Sequence, residues 1–122
     1  MNCIHCGSIA GEAGRESRQN ELTLEECLNL CDELASLGTE WVTLSGGELF
    51  LRKDWAKIAH RLKKYNMKIS IVTNGWLLDK NIDKLKKIPD IITGVSLDGI
   101  EKTHDYIRRV KGSFNKALKG LQ

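Results

Sequence analysis

Three short apolar runs, each closing on a small polar cluster and each separated from the next by a helix-length segment, most limit the folds open to this chain. Trp41-Val42-Thr43-Leu44-Ser45 runs into Gly46-Gly47, Lys68-Ile69-Ser70-Ile71-Val72-Thr73 into Asn74-Gly75, and Ile91 to Leu97 into Asp98-Gly99. Runs of this length, rich in β-branched residues and closed by Gly, Asn or Asp, read as strands. Antiparallel neighbours need only a tight turn, whereas parallel neighbours need a crossover, usually a helix. The spacing therefore predicts an α/β chain of parallel strands alternating with helices.

The intervening segments carry helix signals. Thr23-Leu24-Glu25-Glu26 has the form of a capping box, with Thr23 as N-cap and Glu26 reaching back to it. Leu24, Cys27, Leu28, Cys31, Leu34 and Ala35 then share one face, and Gly38 is a suitable stop. A second helix is expected from near Asp54, burying Trp55, Ile58, Ala59 and Leu62. A third is expected over Asp79 to Ile88, with Ile82 and Leu85 inward, ended by Pro89-Asp90. A fourth is expected from Ser113, burying Phe114, Ala117, Leu118 and Leu121. Residues 1–20 are expected to be irregular, broken by Gly7, Gly11 and Gly14. No linker or low-complexity tract interrupts the pattern, so residues 1–122 are read as one unit.

In a β/α barrel the strands' C-terminal ends meet on one rim, which is where active sites form. The clusters Ser45-Gly46-Gly47-Glu48, Thr73-Asn74-Gly75 and Ser96-Leu97-Asp98-Gly99 would then face one another. Each alone could be an ordinary strand exit, because Gly, Asn and Asp serve turns. Together, with their extra polar groups, they favour a site. The formal charge of +3 is small and its basic residues are interspersed with acids, which argues against a nucleic-acid stripe or a membrane-binding face. No apolar run is long enough to span a bilayer, and Met1-Asn2-Cys3 opens without a signal peptide's pattern, so a cytoplasmic protein is expected. In that compartment four cysteines point to thiols or metal ligands rather than structural disulfides.

Cys3-Ile4-His5-Cys6 spaces two thiols so that both can reach one metal or one cluster. The motif is compatible with half a zinc site, a redox pair or a cluster loop. The redox pair fits poorly, since no apolar strand precedes it and no helix start is visible to lower a thiol pKa. Cys27 and Cys31 lie on the apolar helix face and read as small core residues. A zinc site of Cys3, Cys6, Cys27 and Cys31 ranks second, because it would spend two core positions on ligation. Glu48 follows two glycines that let a ligand approach the backbone, and it can accept hydrogen bonds from an ammonium group. Its plainer role is an acid at the start of the next helix.

Taken together, Cys3-Ile4-His5-Cys6 and Ser45-Gly46-Gly47-Glu48 resemble the radical S-adenosylmethionine (SAM) superfamily. Thr73-Asn74-Gly75 and Ser96-Leu97-Asp98-Gly99 are similar to the ends of its next two barrel strands. His104-Asp105-Tyr106-Ile107-Arg108 looks like the stretch that follows in its peptide-maturase and cofactor-biosynthesis subgroup. The resemblance implies a partial (β/α) TIM-like barrel, a 4Fe-4S cluster held by a CxxxCxxC loop, and SAM chelated to the cluster's open iron. It implies generation of a 5′-deoxyadenosyl radical for hydrogen abstraction, a reductant such as flavodoxin or ferredoxin, and a peptide or small-molecule substrate. Carried onto this chain, Cys3 and Cys6 would be the second and third cluster ligands, and His5 would lie where main chain meets adenine. Gly46, Gly47 and Glu48 would hold the methionine amino group, and Ser45 begins that stretch. Ser96 and Asp98 would lie near the ribose or carboxylate, with Arg108 as a partner for the carboxylate and Thr73 and Asn74 on the same rim.

The chain departs from that pattern in four places. The first cysteine of the loop would fall two residues upstream of Met1, and the strand usual before the loop is absent. Leu49 stands where the family usually has Pro, and the later barrel units are missing. The chain is thus expected to be the N-terminal portion of a radical SAM core domain, truncated at both ends and inactive alone. A degenerate, non-catalytic remnant and a small zinc- or thiol-binding module are the alternatives.

Overall fold

A computed structural model of the chain describes residues 1–7 and 20–122. The expected irregularity at Gly11 and Gly14 lies outside those residues. In chain order the elements are α1 (Leu24–Ser36), β1 (Trp41–Leu44), α2 (Trp55–Lys64), β2 (Lys68–Thr73), α3 (Ile82–Leu85), β3 (Ile91–Val95), α4 (Glu101–Arg108) and α5 (Ser113–Leu121). A 3-10 turn, Leu49–Leu51, sits between β1 and α2. The strands form one open, all-parallel sheet in the order β1-β2-β3. This is the expected α/β architecture, an unclosed arc consistent with part of a TIM-like barrel.

Local chemistry explains the helix ends. Thr23 accepts from the Glu26 N–H at 3.2 Å while the Thr23 N–H donates to Glu26 Oε2 at 2.7 Å, so the capping box is complete. The Thr23 N–H, and after it the Thr23 hydroxyl donating to the same Oε2 at 2.8 Å, hold the Glu26 carboxyl below its usual range. At the other end of α1, Gly38 has φ +74°, and the N–H groups of Gly38 and Thr39 return to Ala35 and Leu34 at 3.0 Å. That double bond pattern is a Schellman motif, and the positive φ is why glycine suits the position.

Register sorts the strand residues onto two faces. Val42, Leu44, Ile69, Ile71, Ile91 and Val95 point to one side, where Cys31, Trp55, Ile58, Ala59 and Leu62 from α1 and α2 close over them. Phe50 meets Trp55 edge to face at 5.2 Å, and Trp55 Nε1 donates to Asn81 Oδ1 at 3.0 Å, so the indole's polar end is satisfied inside the core. The opposite face carries Trp41, Thr43, Val72 and Ile92, all exposed. Trp41 Nε1 and Thr43 Oγ1 both bond Ser70 Oγ there, at 3.0 and 2.7 Å.

Two expectations need correction. The third helix shrinks to Ile82–Leu85 within a run of turns, with Asn81 rather than Asp79 before it. Asp79 instead pairs with Lys116 of α5 at 2.7 Å, and Ile88 rather than Ile82 is fully buried. In α5 Leu121 is 54% exposed, while Gly120 and Ser113 are buried. The cause is close packing: a Cβ on Gly120 would lie 2.7 Å from Leu78, and one on Gly75 would lie 2.7 Å from the Cβ of Ala117. Small residues set this helix's inner face, so the apolar spacing finds Ala117 but misses Gly120 and Ser113 and wrongly adds Leu121. Among the described residues no helix is long and apolar enough to cross a membrane.

Asp105 ties α4 to α5. Its carboxylate accepts from the Gly112 N–H at 2.5 Å, and from Ser113 Oγ and the Phe114 N–H at 2.9 Å.

The bond from Phe114 foremost, with those from Gly112 and Ser113, outweighs desolvation and lowers the Asp105 pKa. A depressed carboxylate pKa adds stability that is complete above the unfolded value and is lost as pH falls through the folded value. Wild type should therefore lose stability on acidification below the ordinary carboxylate range of about 4. Asp105→Asn, compared by urea unfolding across pH, should show a shallower acid loss. Separately, Gly75→Ala should cost about 2–5 kcal/mol, combining left-handed backbone with overpacking. Gly112→Ala, at φ +80° with open space around it, should cost only about 1–2 kcal/mol in the same denaturation assay.

Candidate functional site

All three strands run the same way, so β1, β2 and β3 end on one edge of the sheet. There a recess of about 240 Å³ is walled by Met1, Cys3, His5 and Cys6 from the N-terminal loop, Gly46 and Gly47 after β1, Val72, Thr73 and Asn74 from β2, Ser96 after β3, and Arg108 of α4. Nine of the twelve residues singled out from sequence thus meet in one place (Cys3, His5, Cys6, Gly46, Gly47, Thr73, Asn74, Ser96 and Arg108). Val72 belongs to the bare sheet face, so the recess is continuous with it.

Glu48 and Asp98 stand one bond behind that wall. Glu48 Oε1 and Oε2 accept from Thr73 Oγ1 at 2.8 and 2.9 Å, Oε2 accepts from the Asn74 N–H at 2.9 Å, and Oε1 from the Phe50 N–H at 3.2 Å. Its carboxylate caps the 3-10 turn and clasps the end of β1 to the end of β2. Glu48 therefore caps a short 3-10 turn rather than the start of α2, which follows Asp54, and the clasp on β2 comes in addition. Asn74 uses its own Oδ1 to accept from the Trp76 N–H at 2.8 Å, an Asx turn that steers the chain off β2. Gly46, at φ +132°, has nothing within 4 Å of where a Cβ would be, so its backbone is open to a ligand. Ser45 is exposed at the end of β1 and lies outside the recess wall.

Asp98 gathers the other half of the site. Arg108 grips it with a two-pronged pair, Nε to Oδ2 at 2.5 Å and Nη2 to Oδ1 at 3.0 Å. His5 Nε2 lies 3.3 Å from Oδ1. Burial works against the charge of Asp98, yet Arg108 and His5 prevail and hold its carboxyl below the usual range. Burial likewise opposes the charge on Arg108, but Asp98 and then Cys3 keep its pKa raised. Arg108 Nη1 also donates to Cys3 Sγ at 3.7 Å, and the Ile4 N–H donates to the Ile107 carbonyl at 2.9 Å. The cysteine loop is thus laid against α4.

Sequence reasoning missed α4 as a helix, and with it His104. That residue is fully buried, its Nδ1 accepts from the Asp98 N–H at 3.2 Å, and its ring meets Phe114 at 5.8 Å. The signal was present: His104 and Arg108 are four apart, hence on one helix face. The four-cysteine zinc site is not assembled. Cys27 and Cys31 pack in the helix-side core, where burial raises the Cys31 pKa. Among the described residues no three His, Cys, Asp or Glu side chains are grouped to hold a metal ion.

Two thiols and two glycines thus line a recess at the C-terminal ends of parallel strands, the edge at which β/α folds form their sites. The description of the Radical SAM superfamily matches residues 1–122, and the chain belongs to that superfamily. It is 42% identical over 122 residues to "Fe-coproporphyrin III synthase" of Methanosarcina barkeri, which covers 99% of this chain and 30% of that protein. It is 35% identical to "AdoMet-dependent heme synthase" of the same organism, covering 100% of this chain and 35% of that protein. With "Pre-heme d1 synthase" of Dinoroseobacter shibae it shares 28% identity, over 100% of this chain and 30% of that protein. The chain thus spans about a third of the length of these relatives.

The clasp at Glu48 is open to measurement. Glu48→Gln removes one acceptor from a set of three donors and leaves an amide facing one of them, so it should destabilise by about 1–3 kcal/mol. Thr73→Val should cost a similar amount in urea unfolding, and the double variant should cost less than the sum. Full additivity would show that the two side chains do not act as a pair.

Proposed function

We propose that residues 1–122 are the first part of a radical SAM core domain, and that the whole protein is a radical SAM enzyme. The observation that carries this reading is the recess itself, where the Cys3 and Cys6 thiols face the Gly46-Gly47 backbone and the ends of β2 and β3.

The residues present fit the family's cofactors. Cys3 and Cys6 are half-buried thiols lining the recess, suited by softness to iron–sulfur ligation. They are two of the three thiolates that such a cluster takes, the third belonging two residues before Met1 in the family spacing. Gly46 and Gly47 line the recess without side chains, which leaves backbone for the methionine end of SAM. Glu48 has about four acceptor positions and spends three on Thr73, Asn74 and Phe50, which leaves one for an ammonium group. By the family's pattern Ser96, Asp98 and Arg108 are assigned to the ribose and carboxylate end, His5 to the adenine, and Thr73 and Asn74 to the rim, with Ser45 just outside the recess wall. The bound cofactors supply a carbon radical able to abstract hydrogen, chemistry that no side chain offers. An electron donor such as flavodoxin or ferredoxin belongs to this reading, as does a cytoplasmic setting.

The relatives are named for heme-type products, and others for cyclising GTP. Substrates so unlike one another share this third of the chain, so it carries the common radical chemistry and leaves substrate choice to the remainder.

The whole protein, reconstituted anaerobically with iron and sulfide, should develop a brown iron–sulfur absorbance and, once reduced, release 5′-deoxyadenosine from SAM. Cys3→Ala and Cys6→Ala should each abolish both signals. Gly47→Val should spare the absorbance and raise the SAM concentration needed for half-maximal cleavage at least tenfold. Tight stoichiometric zinc with no iron–sulfur absorbance would refute the reading.

A further inference from the structure

Arg108 stands out among the charged residues of the recess because its guanidinium is already committed. It is 9% exposed, its Nε and Nη2 are spent on Asp98, and its Nη1 points at Cys3 Sγ, 3.7 Å away. Three further contacts brace the N-terminal loop, the exit of β3 and α4 against one another. The Ile4 N–H bonds the Ile107 carbonyl at 2.9 Å, His5 reaches Asp98 at 3.3 Å, and the Asp98 N–H is fixed on buried His104 at 3.2 Å. A guanidinium whose fork is locked on a carboxylate cannot swing away, so its remaining nitrogen is aimed by geometry rather than by chance.

We propose that Arg108 is a positioning residue for Cys3: clamped by Asp98, it donates a hydrogen bond to the Cys3 sulfur and so fixes and electronically tunes that thiolate as a cluster ligand. This rests on the cofactor reading above and revises the part first assigned to Arg108, from holding the SAM carboxylate to holding a ligand sulfur. A cationic N–H donor withdraws electron density from a thiolate, and hydrogen bonds to ligand sulfurs raise the reduction potential of an iron–sulfur cluster. Asp98 acts through Arg108 and makes no contact with the sulfur of its own.

The test uses the whole protein loaded with its cluster and without SAM. Labelled with ¹⁵N-arginine and reduced, it should show a ¹⁵N coupling to the cluster in pulsed paramagnetic resonance, and Arg108→Lys should lose that coupling. No ¹⁵N coupling in a fully loaded wild-type protein overturns the proposal without requiring any variant to fold. In Arg108→Gln the midpoint potential, read by redox titration, should move to a more negative value, while Lys102→Gln on the exposed face of α4 should leave it in place. An unchanged potential in a loaded Arg108→Gln protein also overturns it. Failure of the wild-type protein to bind a cluster at all would instead refute the cofactor reading, so the two failures are distinguishable.

Discussion

Every strand in this chain must return its successor to the same starting edge, and that single demand arranges the rest. A parallel pair cannot be joined by a turn, so the chain crosses back after each strand, and here the crossings pack over one face of the sheet. One face therefore becomes the core, built on Ile69, Ile71, Trp55 and Leu62, and the other stays bare. The same demand puts all three strand exits side by side. Glycines, hydroxyls and carboxylates that lie tens of residues apart in sequence become neighbours for a topological reason, before any ligand enters the account.

Two carboxylates then turn neighbouring exits into one fixed rim. Glu48 joins the exits of β1 and β2, and Asp98 joins the exit of β3 to α4 and to the N-terminal loop. Neither lines the recess. Each accepts from several donors at once, which offsets the cost of drawing a carboxylate away from water. Groups that line the recess are thereby backed by carboxylates that hold them in place, as a preorganised site requires.

Much of this was legible beforehand, and the gaps have physical causes. Thr23 with Glu26, Gly38 and the Trp55-Ile58-Ala59-Leu62 face announced α1 and α2 because apolar spacing and caps are local signals. The three strands were legible for the same reason, as were most of the recess residues, since strand exits in a parallel sheet converge. The helix α4 was silent because its buried positions are His104 and Arg108, polar residues that satisfy one another's neighbours rather than an apolar core. The inner face of α5 was legible at Ala117 but misread at Leu121, because contact at that end depends on the smallness of Gly120, which hydrophobic spacing undervalues. Glu48's partners depend on the pairing of β1 with β2 and are invisible until that register is known.

The bond from the Ile4 N–H to the Ile107 carbonyl spans almost the whole chain and has a bearing on timing. The loop bearing Cys3 and Cys6 leaves the ribosome well before the helix it rests on, which emerges about a hundred residues later. At roughly 5–20 residues per second, those thiols travel unclasped for on the order of 5–20 s. Closing so long a loop is slow and comes after local helices and strand pairs have formed. The thiol pair thus reaches its final place only after the three strands it faces have been made.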